Sequence, residues 1–300
     1  MTDECGDLAY GRQILYALER RQSTFLSEPA WQKVPWGNKP KTVYDEVYDF
    51  FLRAPFLLRE GEMLEHMDPV SQLHLATSMI SRCWEMDGDI LSLYERMEKS
   101  REGPLYWPEL ARDKSLDDDS EDGMLFPVAF NFPNLMIANT VLIFWGVQTM
   151  LWHGMFQLYG LMHELRARFA SSDTITNDNG ELLTTLSTNI PANCLTDGTF
   201  ELHPLGHRTD FWAPGYNVLQ SVEYCLNDQT MDQGPKCIAA PLRIVIETLR
   251  PYPKHAKAFA WGERAMEKVR SRSLRLLIYY TGAEARPHLQ SPDRAGEVGW

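Results

Sequence analysis

Two stretches of the chain carry polar side chains at spacings that could serve chemistry. At about 100° per residue, Asn139, Thr149, His153 and Gln157 fall in one stripe of a helix. Trp145, Trp152, Phe156 and Tyr159 fall in the stripe beside it. Donors and acceptors next to a flat apolar wall are what pockets for apolar ligands offer, and His153 can donate, accept or titrate near neutrality. In the second stretch Tyr216, Gln220 and Glu223 lie at i, i+4 and i+7, with Tyr224 adjoining. Desolvation between Val222 and Tyr224 would raise the pKa of Glu223 and suit it to acid or base work. The expected catalytic residues are therefore His153, Glu223 and Gln157. Trp145, Thr149, Trp152, Phe156, Tyr216, Gln220 and Tyr224 are expected to bind substrate. A plainer account competes at each position. Aromatic stripes are usually core, buried Gln and His usually bond a neighbouring helix, and Glu223 would pair with Arg243, itself i, i+4 from Glu247.

Other chemistries are not advertised. Asp117 to Glu121 spells DDxxE, a magnesium-diphosphate pattern, but it sits in the acidic string DKSLDDDSED with no second metal motif after it. A solvated loop is the expected reading. GxSxG, HExxH, P-loop and dinucleotide fingerprints are missing. His66, His74, His203, His207, His255 and His288 form no metal spacing, and the five cysteines form no CxxC pair. No metal and no cofactor are expected. A net charge of −12 over 300 residues argues against direct nucleic-acid binding by phosphate neutralisation. The opening MTDECGDLAY has no apolar core and is not expected to act as a signal peptide; a reduced, cytoplasmic setting is the default.

The elements that must hold these side chains read as helix after helix. Leu8 to Phe25, Val43 to Leu58 with a break at Pro55, Asp68-Pro69 to about Cys83, and Ile90 to Lys99 make the first half. Pro133 to about Phe169, Ala213 to Leu226, Pro235 to Arg250 and His255 to Tyr280 make the second. Gly123 to His163 is 41 residues without a charge, long enough to raise a membrane span. Its Asn, Gln and His side chains and the lack of basic flanks favour a central core helix instead. The expected architecture is all-α, a single multi-helix domain over residues 1–285. Segments 113–122 and 171–206 are expected to be loop-like and 286–300 a flexible tail. The long apolar helices would also support a homodimer.

Two stretches carry a family resemblance. FPNLMIANTVLIFWGVQTMLW (Phe132 to Trp152) and GYNVLQSVEYCLNDQTMDQGPKCIAAPLRIVIETLR (Gly215 to Arg250), the latter followed by WGERAMEKV, resemble the fungal-specific transcription factor domain. That domain is the helical regulatory half of binuclear zinc-cluster activators. The resemblance covers about 150 residues of the C-terminal half well and the N-terminal half more loosely, and it implies a helical fold more than any activity. The family's DNA-binding module needs six closely spaced cysteines and a basic linker, whereas the first 60 residues here hold Cys5 alone.

A helical body without that module, metal or nucleophile acts on an apolar molecule by orientation and hydrogen bonding. The expectation is a cofactor-free cyclase of fungal secondary metabolism, folding a polyketide or terpenoid intermediate for a Diels–Alder-type step or an isomerisation. The alternative is a DNA-binding-deficient regulator, or a metabolite-sensing partner of a zinc-cluster activator, in which case the setting is nuclear.

Overall fold

The computed structural model describes residues 25–37, 39–116, 123–172, 202–231 and 233–272. Its elements, in order, are α1 (Pro29–Lys33), α2 (Val43–Leu64), α3 (Pro69–Lys99), β1 (Trp107–Leu110), β2 (Val128–Asn131), α4 (Leu135–Ser172), α5 (Trp212–Gln220), α6 (Val222–Cys225), α7 (Gln233–Leu249) and α8 (Ala256–Arg272). The described chain is predominantly helical. Residues 8–24 of the helix expected over Leu8 to Phe25, the acidic string from Asp117 onward, most of the 171–206 loop and the tail fall outside the described residues.

Local chemistry explains where the long helices start. Thr42 and Asp45 cap α2 reciprocally, each side chain accepting from the other's backbone N–H. Asp68 caps α3 by accepting from the N–H groups of Val70 and Ser71 at 3.0 and 3.1 Å, and Pro69 supplies the preset first turn. Two breaks read from the sequence do not occur. Helix α2 runs through Pro55, whose ring is buried, so packing offsets the hydrogen bond that proline removes. The segments 69–83 and 90–99 are one helix, because Asp87 of the intervening WEMDGD is held in the interior and Gly88 costs only propensity at an exposed turn.

Helix α4 is the axis of the fold. Its stretch Leu135–Arg168 is long and apolar enough to cross a membrane, with a hydropathy of 1.5, but 78% of its most apolar window is buried inside the protein. Burial by other helices is what a core helix shows. Val141, Leu142, Thr149, Met155 and Leu165 are fully covered. Helices α2, α3, α5 and α7 pack against α4, and α8 packs on α7. The α4–α7 crossing is close: a Cβ added at Gly146 would lie 3.3 Å from the Pro241 Cα.

One departure from pure helix is a two-stranded antiparallel ribbon, with Trp107 opposite Asn131 and Leu110 opposite Val128. It has an aromatic seam. Tyr106 stacks edge-on against Phe130 and Trp145 at 4.9 Å each, and Phe132 meets Tyr224 at 5.0 Å. Near its start α7 is fixed by Gly234, where any Cβ would collide with the Cys225 carbonyl and the Thr230 hydroxyl. Gly234 and Pro235 of the quoted stretch thus lie in the first turn of α7.

Candidate functional site

The helices α2, α3 and α4 enclose a groove of ≈ 740 Å³. Leu57, Leu58 and Leu64 of α2, Met79, Cys83 and Met86 of α3, and Met150, Leu151, Leu158 and Leu161 of α4 supply its apolar lining. Gln72 and Gln157 bring carboxamides, and Glu62, Glu65, Glu164 and Arg168 stand at its rim. It exists partly because of what is missing from its walls. A Cβ added at Gly154 or Gly160 would meet nothing within 4 Å. Burial pushes the Cys83 thiol up to about 12, so this lining sulfur is a soft apolar surface and not a nucleophile.

The expected site residues separate into three places. Gln157 lines the groove, exposed. His153 belongs to an aromatic box on another side of α4, where its Nε2 lies 3.0 Å from the Tyr252 hydroxyl and its ring 4.9 Å from Phe211. Burial lowers its pKa to about 4, so the imidazole is neutral at pH 7. Tyr216 joins the same region, its hydroxyl 2.7 Å from His255 Nδ1. Burial foremost, then the Lys254 charge, lowers the His255 pKa as well, and its Nε2 has no hydrogen-bond partner among the described residues.

Glu223 lies elsewhere again. Its carboxylate accepts from the backbone N–H groups of Arg112 and Asp113 at 2.8 and 3.2 Å, pinning the chain that leaves β1. The expected partner Arg243 instead meets Glu247 on its own helix at 3.1 Å. Glu223 and Gln220 face a small cavity of ≈ 20 Å³, about the room for one water molecule.

The remaining candidates are mostly structural. Trp145 is buried in the ribbon's aromatic seam, and the Thr149 hydroxyl bonds back to the Trp145 carbonyl at 2.8 Å. Tyr224 packs on Phe132, and Phe156 is 41% exposed against Phe211. Phe156 also borders a second depression of ≈ 630 Å³ shared with His163, Arg166, Leu202 and Leu205, which meets the main groove at Gly160. His153, Glu223 and Gln157 thus do not converge on one reacting centre.

Trp152 leads to a feature that the sequence reading passed over. Its indole N–H donates to Asp87 at 2.7 Å, and Arg208 holds the other carboxylate oxygen through Nε at 2.7 Å and a terminal nitrogen at 2.6 Å. Arg208 also lies 4.4 Å above the Trp84 ring, and Trp84 donates to the Tyr159 hydroxyl, which donates to the His203 carbonyl. This network fastens residues 203–208 to α3 and α4. The available signal was phase: Cys83, Asp87 and Ile90 share the buried stripe of α3 at i, i+4 and i+7.

Among the described residues no cluster of His, Cys, Asp or Glu could hold a metal ion. The chain matches no family model, no curated protein and no solved structure. The resemblance to the fungal regulatory domain therefore rests on the quoted motifs alone.

Proposed function

We propose that this protein works by binding, and that the groove between α2, α3 and α4 is its working surface, taking up an apolar guest. The carrying observation is the pairing of a ≈ 740 Å³ groove with a Met- and Leu-rich lining; methionine adapts its shape to irregular apolar surfaces. This reading agrees with the regulator alternative, a helical body that senses or recruits without touching DNA. A cyclase for a polyketide or terpenoid would use the same groove. It would rely on Gln157 for hydrogen bonds, since His153 and Glu223 are engaged elsewhere and the Gln72 carboxamide donates to the Leu64 carbonyl at 2.7 Å.

Fluorescence titration of the full chain with the neutral apolar dye Nile red tests the binding reading. Saturable emission that Gly154→Phe abolishes is the expected result, because the new ring projects into open groove space. Emission unchanged by Gly154→Phe would move the binding surface away from the groove. Turnover of a linear polyene, with loss of rate in Gln157→Leu, would favour the cyclase over the receptor.

A further inference from the structure

Two hollows flank the C-terminal half of α4. The groove of ≈ 740 Å³ lies against α2 and α3, and the depression of ≈ 630 Å³ lies against residues 202–205; Gly160 lines both. At about 100° per residue, the other α4 residues lining the groove all lie to one side of Gly160, from about 40° at Glu164 to about 180° at Leu151. Those lining the depression, Phe156, Tyr159, His163 and Arg166, all lie to the other side, from about 40° to about 120°. The row Phe156, Gly160, Glu164, at i, i+4 and i+8, is therefore the ridge between the two hollows. Gly160 is the gap in that ridge. A Cβ there would meet nothing within 4 Å, and the flanking side chains are rooted about 12 Å apart along the axis. A notch one side chain wide passes a slender chain from one hollow to the other and holds back a fused-ring skeleton.

Both ends of the passage are built. On the groove side, Met and Leu side chains adapt to a flexible guest. On the other side, the Tyr159 hydroxyl is already used, accepting from Trp84 at 2.9 Å and donating to the His203 carbonyl at 2.6 Å. Leu202, Pro204 and Leu205 make the facing wall, and the pairing of Arg208 with Asp87 anchors that stretch. Phe156, 41% exposed, adds an apolar edge beside the notch. Two apolar hollows joined by one narrow opening match an elongated molecule, which covers both, better than a compact one, which fills one.

We propose that the guest is a long, flexible hydrocarbon chain that lies in the groove and bends over α4 at Gly160 into the depression. The inference rests on the groove being the working surface and adds the shape of what it takes up. Displacement of Nile red from the full chain by primary alkanols, from octanol to hexadecanol, provides the test. Each methylene that leaves water tightens binding about fourfold, so affinity for the unaltered protein should climb to the end of the series. Gly160→Leu closes the notch. Octanol and Nile red should bind it as before, while hexadecanol should bind at least tenfold more weakly, with helical circular dichroism retained. Leu202→Asp, which puts a charge in the depression, should cut off the same long members from the far side. A chain-length profile that either substitution leaves unchanged overturns the inference and leaves the groove to a compact guest. Loss of Nile red and octanol along with hexadecanol in Gly160→Leu also overturns it, since the opening then belongs to the groove alone. Uptake of neither dye nor any alkanol by the unaltered protein removes the inference and the binding reading together.

Discussion

Asp87 is 1% exposed, and its carboxylate is held by the Trp152 indole and the Arg208 guanidinium. A buried carboxylate is tolerable when its oxygens are matched in this way, and costly when one partner is withdrawn. Arg208→Met should therefore destabilise the fold by about 3–5 kcal/mol, the range for breaking a buried pair. Asp87→Asn with Arg208→Met together should recover part of that loss, since the uncompensated charge is gone. Urea unfolding of the three variants checks the pattern. If Arg208→Met costs under about 1 kcal/mol, the value of an exposed pair, the contact is a surface one and the segment 203–208 is not fastened by it.

At the level of elements, the glycines of α4 separate crossing from opening. Gly146 meets the Pro241 backbone, so Gly146→Ala should lower stability by about 1–3 kcal/mol as the α4–α7 crossing is forced apart. Gly154 meets nothing, so Gly154→Ala should raise stability by about 0.5–1 kcal/mol through helix propensity alone. Equal effects at both positions in thermal melts would deny the difference between a packed and an open face. The same comparison shows what sequence can and cannot convey. Helix existence was legible because apolar residues recur at 3.6-residue spacing, and the Asp68-Pro69 start was legible because capping is local chemistry. The ribbon was not, since four-residue strands are too short to display alternation. Continuity through Gly88 was hidden because Arg208, 121 residues away from Asp87, supplies the compensation. The stripe of Asn139, Thr149, His153 and Gln157 was placed on one helix correctly, yet it spreads over more than one environment. Asn139 donates to Tyr48, Thr149 bonds its own helix, His153 meets Tyr252 and Gln157 lines the groove. Periodicity ranks residues around one helix axis and carries no knowledge of which neighbour covers each side.

Across the whole molecule, two neutral histidines tie the α7–α8 turn to the rest of the fold. His153 on α4 meets Tyr252, and His255 in the turn just before α8 meets Tyr216 on α5. Burial holds the His153 pKa at about 4, below the roughly 6.5 of an unfolded histidine. The unfolded chain therefore takes up the proton first as pH falls. Stability from this group is complete above about 6.5, declines between about 6.5 and 4, and is lost below. The gap corresponds to about 3 kcal/mol. His255, lowered by burial and by Lys254, shifts stability in the same direction. Urea midpoints measured from pH 7.5 to 4.5 should fall steeply, and His153→Gln should flatten that fall by close to one proton while its carboxamide still reaches Tyr252. Groove occupancy offers a control, because neither histidine lines the groove. Nile red affinity should hold steady over the upper part of the same range, until unfolding itself removes the protein. A dye affinity that instead tracks the titration of His153 above the unfolding zone would mean that the aromatic box and the groove are one coupled site, not two.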